Sequence, residues 1–415
     1  MEGLTICNAR RAAPVPFFPL EIIEQILLKL PAISLLQFKC VCKSWRDLIS
    51  THEFAIQNLI ETSERFRRLG VIESKILREG RISLYSLATQ ASSLAEEAEE
   101  ETICVPAANK FASVKILGSC NGMLLICLKN VKGSNLNPRK FLLWNPTIRE
   151  FKMIPPCDFK SSCRSLVSGF GYNSSIDNYK AVVVFYERKS DSVCGYVYNL
   201  RTNSWKRLES FYFPYNCAKL LYNHRDIYLP NEIGTTLVNG APHWVTLSVS
   251  VFEVNKIIYF DLEDEKFKEF QSPPPSAGTF KTFLSIYEDC ICENRLRRED
   301  SYIEFTLEVW IMKKYGVKES WIKLLNLPFG SRFSLMSNIR PLAVSKNGEQ
   351  VIMVTDWSNI ISFKPRTGEI KVTLFWEGEV MKVSLRIDRG DVASYEESLV
   401  SPNRFGMTCS EDGNY

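Results

Sequence analysis

The feature that most limits how this chain can fold is a unit that recurs along most of its length. "LLWNPTIREFKMIP", "YVYNLRTNSWKRLE", "IYFDLEDEKFKEFQ", "LEVWIMKKYGVKESWIKL" and "ISFKPRTGEIKVTLF" share one plan. Each runs from a short apolar stretch ending in an aromatic, through turn residues, into a second short apolar stretch. The aromatic marks Trp144, Tyr198, Phe260, Trp310 and Phe363 lie about 50 to 60 residues apart. Such a unit is one or more antiparallel hairpins and cannot bury its own apolar face. Units of this kind become stable by stacking radially, which is a β-propeller. "GRISLYSL" places a sixth mark, Tyr85, at similar spacing but without a full set of strands. The late runs "KVSLRI" and "YEESLV" could supply them, closing a ring of six blades with strands from both ends of the chain and removing its exposed edges.

The first fifty residues follow a different period. In "FFPLEIIEQILLKLP" a proline opens a helix and Pro31 stops it, with Glu21 in the first turn and Lys29 in the last. Ile22, Ile23, Ile26, Leu27 and Leu30 recur at helical spacing, and Leu20 and Leu28 wrap the apolar surface most of the way round. In "QFKCVCKSWRDLIS", Phe38, Val41, Cys42, Trp45, Leu48 and Ile49 fall at steps of three and four. On that helix Cys40 and Cys42 point apart, and no second cysteine or histidine pair completes a zinc shell. The expectation is two small buried thiols. About three short helices over 16–54 are too few to stand alone and call for an apolar surface to dock on. That surface belongs to another protein or to the rest of this chain.

Composition removes several function classes. The 415 residues carry 51 basic and 47 acidic side chains with no dense basic run, so nucleic acid is not an expected partner. The N-terminus lacks an apolar secretory core, and no run is long enough for a membrane span. Thirteen cysteines without a repeating spacing, and no signal peptide, point to reduced intracellular thiols and a cytoplasmic or nuclear protein. Only three histidines are present, His52, His224 and His243. "GFGYNS" lacks the third glycine of a dinucleotide fingerprint, so its glycines serve turns or close strand packing. His243 in "NGAPHW" reads as packed rather than catalytic. No metal, cofactor or catalytic cluster is expected. "SSLAEEAEEE" (Ser92 to Glu101), "KGSNLNPRK" and "SPPPSAG" read as loops.

Residues 17–54, "FPLEIIEQILLKLP…SLLQFKCVCKSWRDLIS…F", resemble the F-box, with Phe18 where leucine usually precedes the proline. "GSCNGMLLI", "LLWNPTIREFKMIP", "GFGYNSSIDNYKAVVV", "VNGAPHW" and "YEESLVSP" resemble, in order, landmarks of the plant type 1 F-box-associated, kelch-like domain over 111–402. The resemblance implies a mainly β chain with a small all-α N-terminal module. It divides into a disordered tail (1–15), a three-helix F-box (16–54), a helical linker leading into the first propeller strands (55–80), a kelch-like propeller (81–402) and a second disordered tail (403–415). It also implies a non-catalytic receptor subunit of an SCF-type (Skp–cullin–F-box) ubiquitin ligase. Phe18, Pro19, Ile22, Ile26, Leu27, Leu30, Pro31, Leu35, Val41, Cys42 and Trp45 would contact a Skp-type adaptor, and through it a cullin and a RING protein. The propeller would hold an unknown target protein. A propeller enzyme would need a metal or acid–base cluster that is not visible. A protein- or glycan-binding scaffold that uses the F-box only for docking is the other alternative.

Overall fold

The computed structural model describes residues 18–62, 67–72, 81–86, 100–104, 113–129, 139–157, 164–187, 190, 192–209, 235–245, 256–287, 289–298, 305–329, 339–344, 351–355, 360–364, 367, 369–373 and 391–405. Four helices come first: α1 (Leu20–Leu27), α2 (Ala32–Phe38), α3 (Lys43–Ile49) and α4 (His52–Thr62). Pro19 and Pro31 stand just before α1 and α2 with extended ψ angles of 144° and 145°, setting where each begins. The Thr51 hydroxyl accepts the Phe54 N–H at 3.2 Å and starts α4. Asn58 on α4 is fully buried and donates to the carbonyls of Leu28 and Leu30, both at 2.9 Å. It thereby satisfies groups that the end of α1 leaves without helical partners.

The strands form six four-stranded antiparallel sheets among the described residues. The first joins β1 (Arg67–Ile72), β2 (Arg81–Ser86) and β3 (Glu100–Cys104) to β24 (Asp391–Glu396), in the order β24-β1-β2-β3. The second is β4 (Ser113–Cys120), β5 (Met123–Lys129), β6 (Lys140–Asn145) and β7 (Glu150–Ile154). The third is β8 (Arg164–Asn173), β9 (Asn178–Glu187), β10 (Ser192–Asn199) and β11 (Ser204–Leu208). The fourth is β12 (Thr236–Val238), β13 (Ala241–Val245), β14 (Lys256–Asp261) and β15 (Lys266–Gln271). The fifth is β16 (Thr279–Tyr287), β17 (Cys290–Arg298), β18 (Phe305–Met312) and β19 (Trp321–Phe329). The sixth is β20 (Ile339–Val344), β21 (Val351–Thr355), β22 (Ile360–Lys364) and β23 (Glu369–Thr373). β24 lies beside β4, β4 beside β8, β8 beside β13, β13 beside β16 and β16 beside β20, a propeller-like succession.

Four of the hairpins share one turn chemistry. Asn145, Asn173, Asn199 and Asp261 each end a strand, and their side-chain oxygens accept backbone N–H groups from Thr147, Ser175, Thr202 and Glu263 at 2.9–3.1 Å. Each turn closes on a left-handed residue: Arg149, Asp177, Asn203 or Glu265, with φ between 47° and 58°. Two tighter hairpins use Asn-Gly, at Asn121-Gly122 and Asn239-Gly240, where both central residues have positive φ. Neighbouring sheets are tied by tryptophans. The Trp205 indole donates to Pro155 O at 2.9 Å, and Trp321, at the matching place in β19, donates to Gln271 O at 3.1 Å.

Three features differ from the sequence reading. The helical linker ends at Thr62, and "RRLGVI" within it is β1, paired along its length with β24. The local pattern of this stretch reads as a continuing helix, and pairing with a distant strand overrides it. Glu100 and Glu101, read as part of an acidic loop, open β3. The last strand is Asp391–Glu396, whereas Glu397–Val400 leaves the sheet and is buried. The runs at Lys382–Ile387 and at 406–415 lie outside the described residues. Within the supposed tail, Asn403, Arg404 and Phe405 are partly buried.

Candidate functional site

The four helices have two apolar faces with different fates. The inner face carries Leu27, Leu28, Leu35, Ile49, Phe54 and Ala55. These join one hydrophobic cluster with Leu117, Cys120, Met123, Phe170, Tyr179, Leu200, Leu399 and Val400 of the β domain. Antiparallel order puts the turns after β4, β6, β8 and β10 at the same end of their sheets, and the helices sit on that end. So the helical unit does pack on its own chain. Its outer face stays open. Phe18 is 60% exposed, Ile22 47%, Ile26 55% and Val41 60%. Burying one such side chain is worth about 1.5–3 kcal/mol.

The eleven residues expected to meet an adaptor therefore divide. Phe18, Pro19, Ile22, Ile26, Val41 and Cys42 are exposed. Leu30, Pro31 and Trp45 are half-buried, with Trp45 edge-on to Phe38 at 5.8 Å. Leu27 and Leu35, 1% and 0% exposed, face inward and shape the surface without being part of it. Helical period shows which residues are apolar but not which apolar face meets the rest of the chain. Leu20 and Ile33 are exposed too and were not in the expected set; their signal was the all-round apolar surface of these short helices.

The thiols also differ from expectation. Cys40 and Cys42 are both exposed. The helix breaks between them: Cys40 lies in the turn after α2, and Cys42 stands before α3 with extended backbone. A hydrogen bond with Ser44 at 3.2 Å, joined by the backbone N–H groups of Trp45 and Ser44, lowers the Cys42 thiol pKa. Among the described residues no three His, Cys, Asp or Glu side chains are grouped to hold a metal ion, and no helix is long and apolar enough to cross a membrane.

Several buried polar groups of the β domain are committed to structure. Glu308 accepts from Lys323, Arg297, Ser276 and Trp310 at 2.7–3.3 Å. Burial opposes its ionisation, but these donors outweigh burial and hold the carboxyl at about 2. Arg295 donates to Glu293 at 2.7 Å and to the carbonyls of Pro273 and Pro274, so the "SPPPSAG" loop is pinned to the fifth sheet. His243 is fully buried, with Nδ1 on Ala241 O at 2.8 Å and Nε2 on the Tyr315 hydroxyl at 2.5 Å. The carbonyl requires a proton on Nδ1, which leaves Nε2 to accept from Tyr315. The ring stacks on Tyr259 at 5.2 Å, a packing role. Gly169 and Gly171 allow close approach: a Cβ there would meet Pro242 and Trp244, or the Gly240 carbonyl.

Where helices and sheets meet, a polar contact adds to the apolar ones; burial and the Arg404 charge lower the His52 pKa, so the ring meets the Asp177 carboxylate as a neutral imidazole. His52, in the first turn of α4, lies 3.4 Å from Asp177 in the β8–β9 turn. Asp177 also takes two hydrogen bonds from Arg404 and one from the Tyr172 hydroxyl at 2.8 Å. The Arg404 bonds hold its carboxyl down at about 2.

Comparison with known proteins matches this division. The sequence profile of the F-box domain matches residues 17–57, and that of the F-box associated beta propeller domain matches 74–402. An F-box/kelch-repeat protein of Arabidopsis thaliana is 30% identical over 339 residues, covering 79% of this chain and 82% of its own. The Arabidopsis F-box protein CPR1 is 27% identical over 386 residues, covering 85% and 84%. Among solved structures, the Dos1 propeller overlays with a TM-score of 0.33 at 10% identity, over 72% of this chain and 66% of its own.

Proposed function

Because this chain belongs to the F-box proteins that carry an F-box associated β-propeller domain, we propose that it is the target-recruiting subunit of an SCF-type ubiquitin ligase, acting in the cytoplasm, the nucleus or both. The observation that carries this reading is the outer face of the helices. A small helical unit whose inner face is already covered by its own β domain still presents Phe18, Ile22, Ile26 and Val41 to solvent. Exposed apolar side chains of that kind mark a protein partner, and in an F-box the partner is a Skp-type adaptor, which leads to a cullin and a RING protein. The six sheets are taken as six blades of one ring, an assignment supported by the pairing of β24 with β1. The helices occupy one end of the sheets, so the target is held by the opposite end.

No group in this chain then needs to do chemistry. A receptor that holds a target near a charged ubiquitin-conjugating enzyme raises the effective concentration of the acceptor lysine. The saturated hydrogen bonding of Glu308 and the packing of His243 accord with that division of labour.

The test is co-purification of the full chain with a Skp-type adaptor and cullin. Ile26→Asp and Val41→Asp each place a charge on the outer face and should abolish adaptor binding with the melting temperature unchanged. Leu35→Asp should instead unfold the helices, because its side chain has no route to water. Full adaptor binding by the Ile26→Asp, Val41→Asp double variant would overturn the assignment of the surface. Capture of adaptor without cullin would favour a docking scaffold over a ligase subunit.

A further inference from the structure

Past its last strand the chain crosses from the β domain to the helices. Glu397, Ser398, Leu399 and Val400 are buried, the last two in the cluster that holds the inner face of the helices. Gly122 is needed under this crossing, since a Cβ there would strike Ser398 and the Glu396 carbonyl. Further on, Ser401 donates to Glu150, and Asn403 donates to Phe151 O at 3.3 Å. Arg404 then meets both oxygens of Asp177, the carboxylate that faces His52 on α4. Phe405 lies under two guanidiniums, Arg404 at 4.8 Å and Arg201 at 5.3 Å. Arg201 in turn donates to the carbonyls of Ile176 and Asp177 at 2.9 and 3.1 Å, closing the turn from the other side.

This is more than a surface ion pair. An isolated exposed pair contributes little, but a two-pronged guanidinium–carboxylate contact also sets direction. Here it joins the β8–β9 turn to the residues after β24, at a carboxylate that the partly buried His52 ring in the first turn of α4 approaches to 3.4 Å. We propose that Arg404 is a positioning residue: through Asp177 it locks the β8–β9 turn to the first turn of α4 and so fixes the angle between the adaptor-binding surface and the propeller. The proposal rests on the receptor reading for its consequence, because transfer by proximity works only if target and adaptor are held at a set geometry. The lock itself stands on the contacts alone.

The experiment uses the full chain in complex with a Skp-type adaptor. Hydrogen exchange is followed in peptides covering His52–Thr62 and Asn173–Asn178, alongside small-angle scattering, adaptor affinity and thermal melting. Arg404→Ala should speed exchange in both peptides by about five- to tenfold and broaden the scattering-derived shape, while affinity and melting of the sheets hold. Arg404→Lys keeps the charge but loses the fork and should fall between. Asp177→Asn should match Arg404→Ala, and the double variant should add nothing further. Unchanged exchange in the α4 peptide would overturn the lock. So would faster exchange spread evenly over all sheets, which would make Arg404 a general stabiliser. If the native chain fails to bind adaptor, the receptor reading falls, and the exchange result on the chain alone still decides the lock.

Discussion

Replacing Asn145, the last residue of β6, with alanine should destabilise the β domain by about 2–6 kcal/mol. Its amide is fully buried and donates to Val400 O at 2.8 Å, Ser398 O at 3.0 Å and Ser398 Oγ at 3.2 Å. Its oxygen accepts the Thr147 N–H at 2.9 Å. With two amide hydrogens the side chain supplies two good bonds and shares a third acceptor. Alanine leaves the buried carbonyls of Ser398 and Val400 without this donor, and each unsatisfied group costs about 1–3 kcal/mol. At about 2 °C per kcal/mol for a domain of this size, the melting temperature should fall by about 4–12 °C. Asn145→Asp is nearly isosteric yet turns an anion toward two carbonyls, and should do at least as much damage. The assay is thermal melting of the full chain, with limited proteolysis after residue 396 as a local readout. A shift below about 1 °C for Asn145→Ala, or an aspartate variant that melts like the native chain, would refute the reasoning. It would mean that Ser398–Val400 is not integral to the fold.

Other consequences are as direct. Asn58→Ala should cost about 1–3 kcal/mol by releasing the carbonyls of Leu28 and Leu30, read as an earlier loss of helical circular dichroism. Burial depresses the His243 pKa from 6.5 to about 4, against the opposing Ala241 carbonyl. The unfolded chain therefore takes up the proton first: stability is whole above about pH 6.5, falls by about 3 kcal/mol as pH drops toward 4, and falls no further below that. His243→Gln should melt with a flatter pH profile across that window, and an unchanged slope would refute the assignment. Gly171→Ala should lower the melting temperature, because the new Cβ meets the Gly240 carbonyl and forces β8 away from the β12–β13 turn.

Much of this molecule follows from neighbours in sequence. Pro19 and Pro31 bound helices by removing donors, and Asn145, Asn173, Asn199 and Asp261 set turns through side chains that reach only two or three residues along. Apolar runs such as "MLLICL" and "KAVVVFY" lie in β5 and β9 because such residues suit a pleated, buried surface. The helical unit and the stacked hairpins were legible for that reason. Tertiary structure alone decided which of two equally apolar helical faces is covered, turning Leu27 and Leu35 inward and Ile22 and Ile26 outward. It also made "RRLGVI" a strand through its pairing with Asp391–Glu396, and drew Glu397–Phe405, polar in its last residues, into the junction of helices and sheets. Period and propensity report how a residue relates to the next few along the chain. The partner of an apolar face, an unpaired strand edge or a lone arginine is chosen by chain closure over hundreds of residues, and that choice exists only in three dimensions.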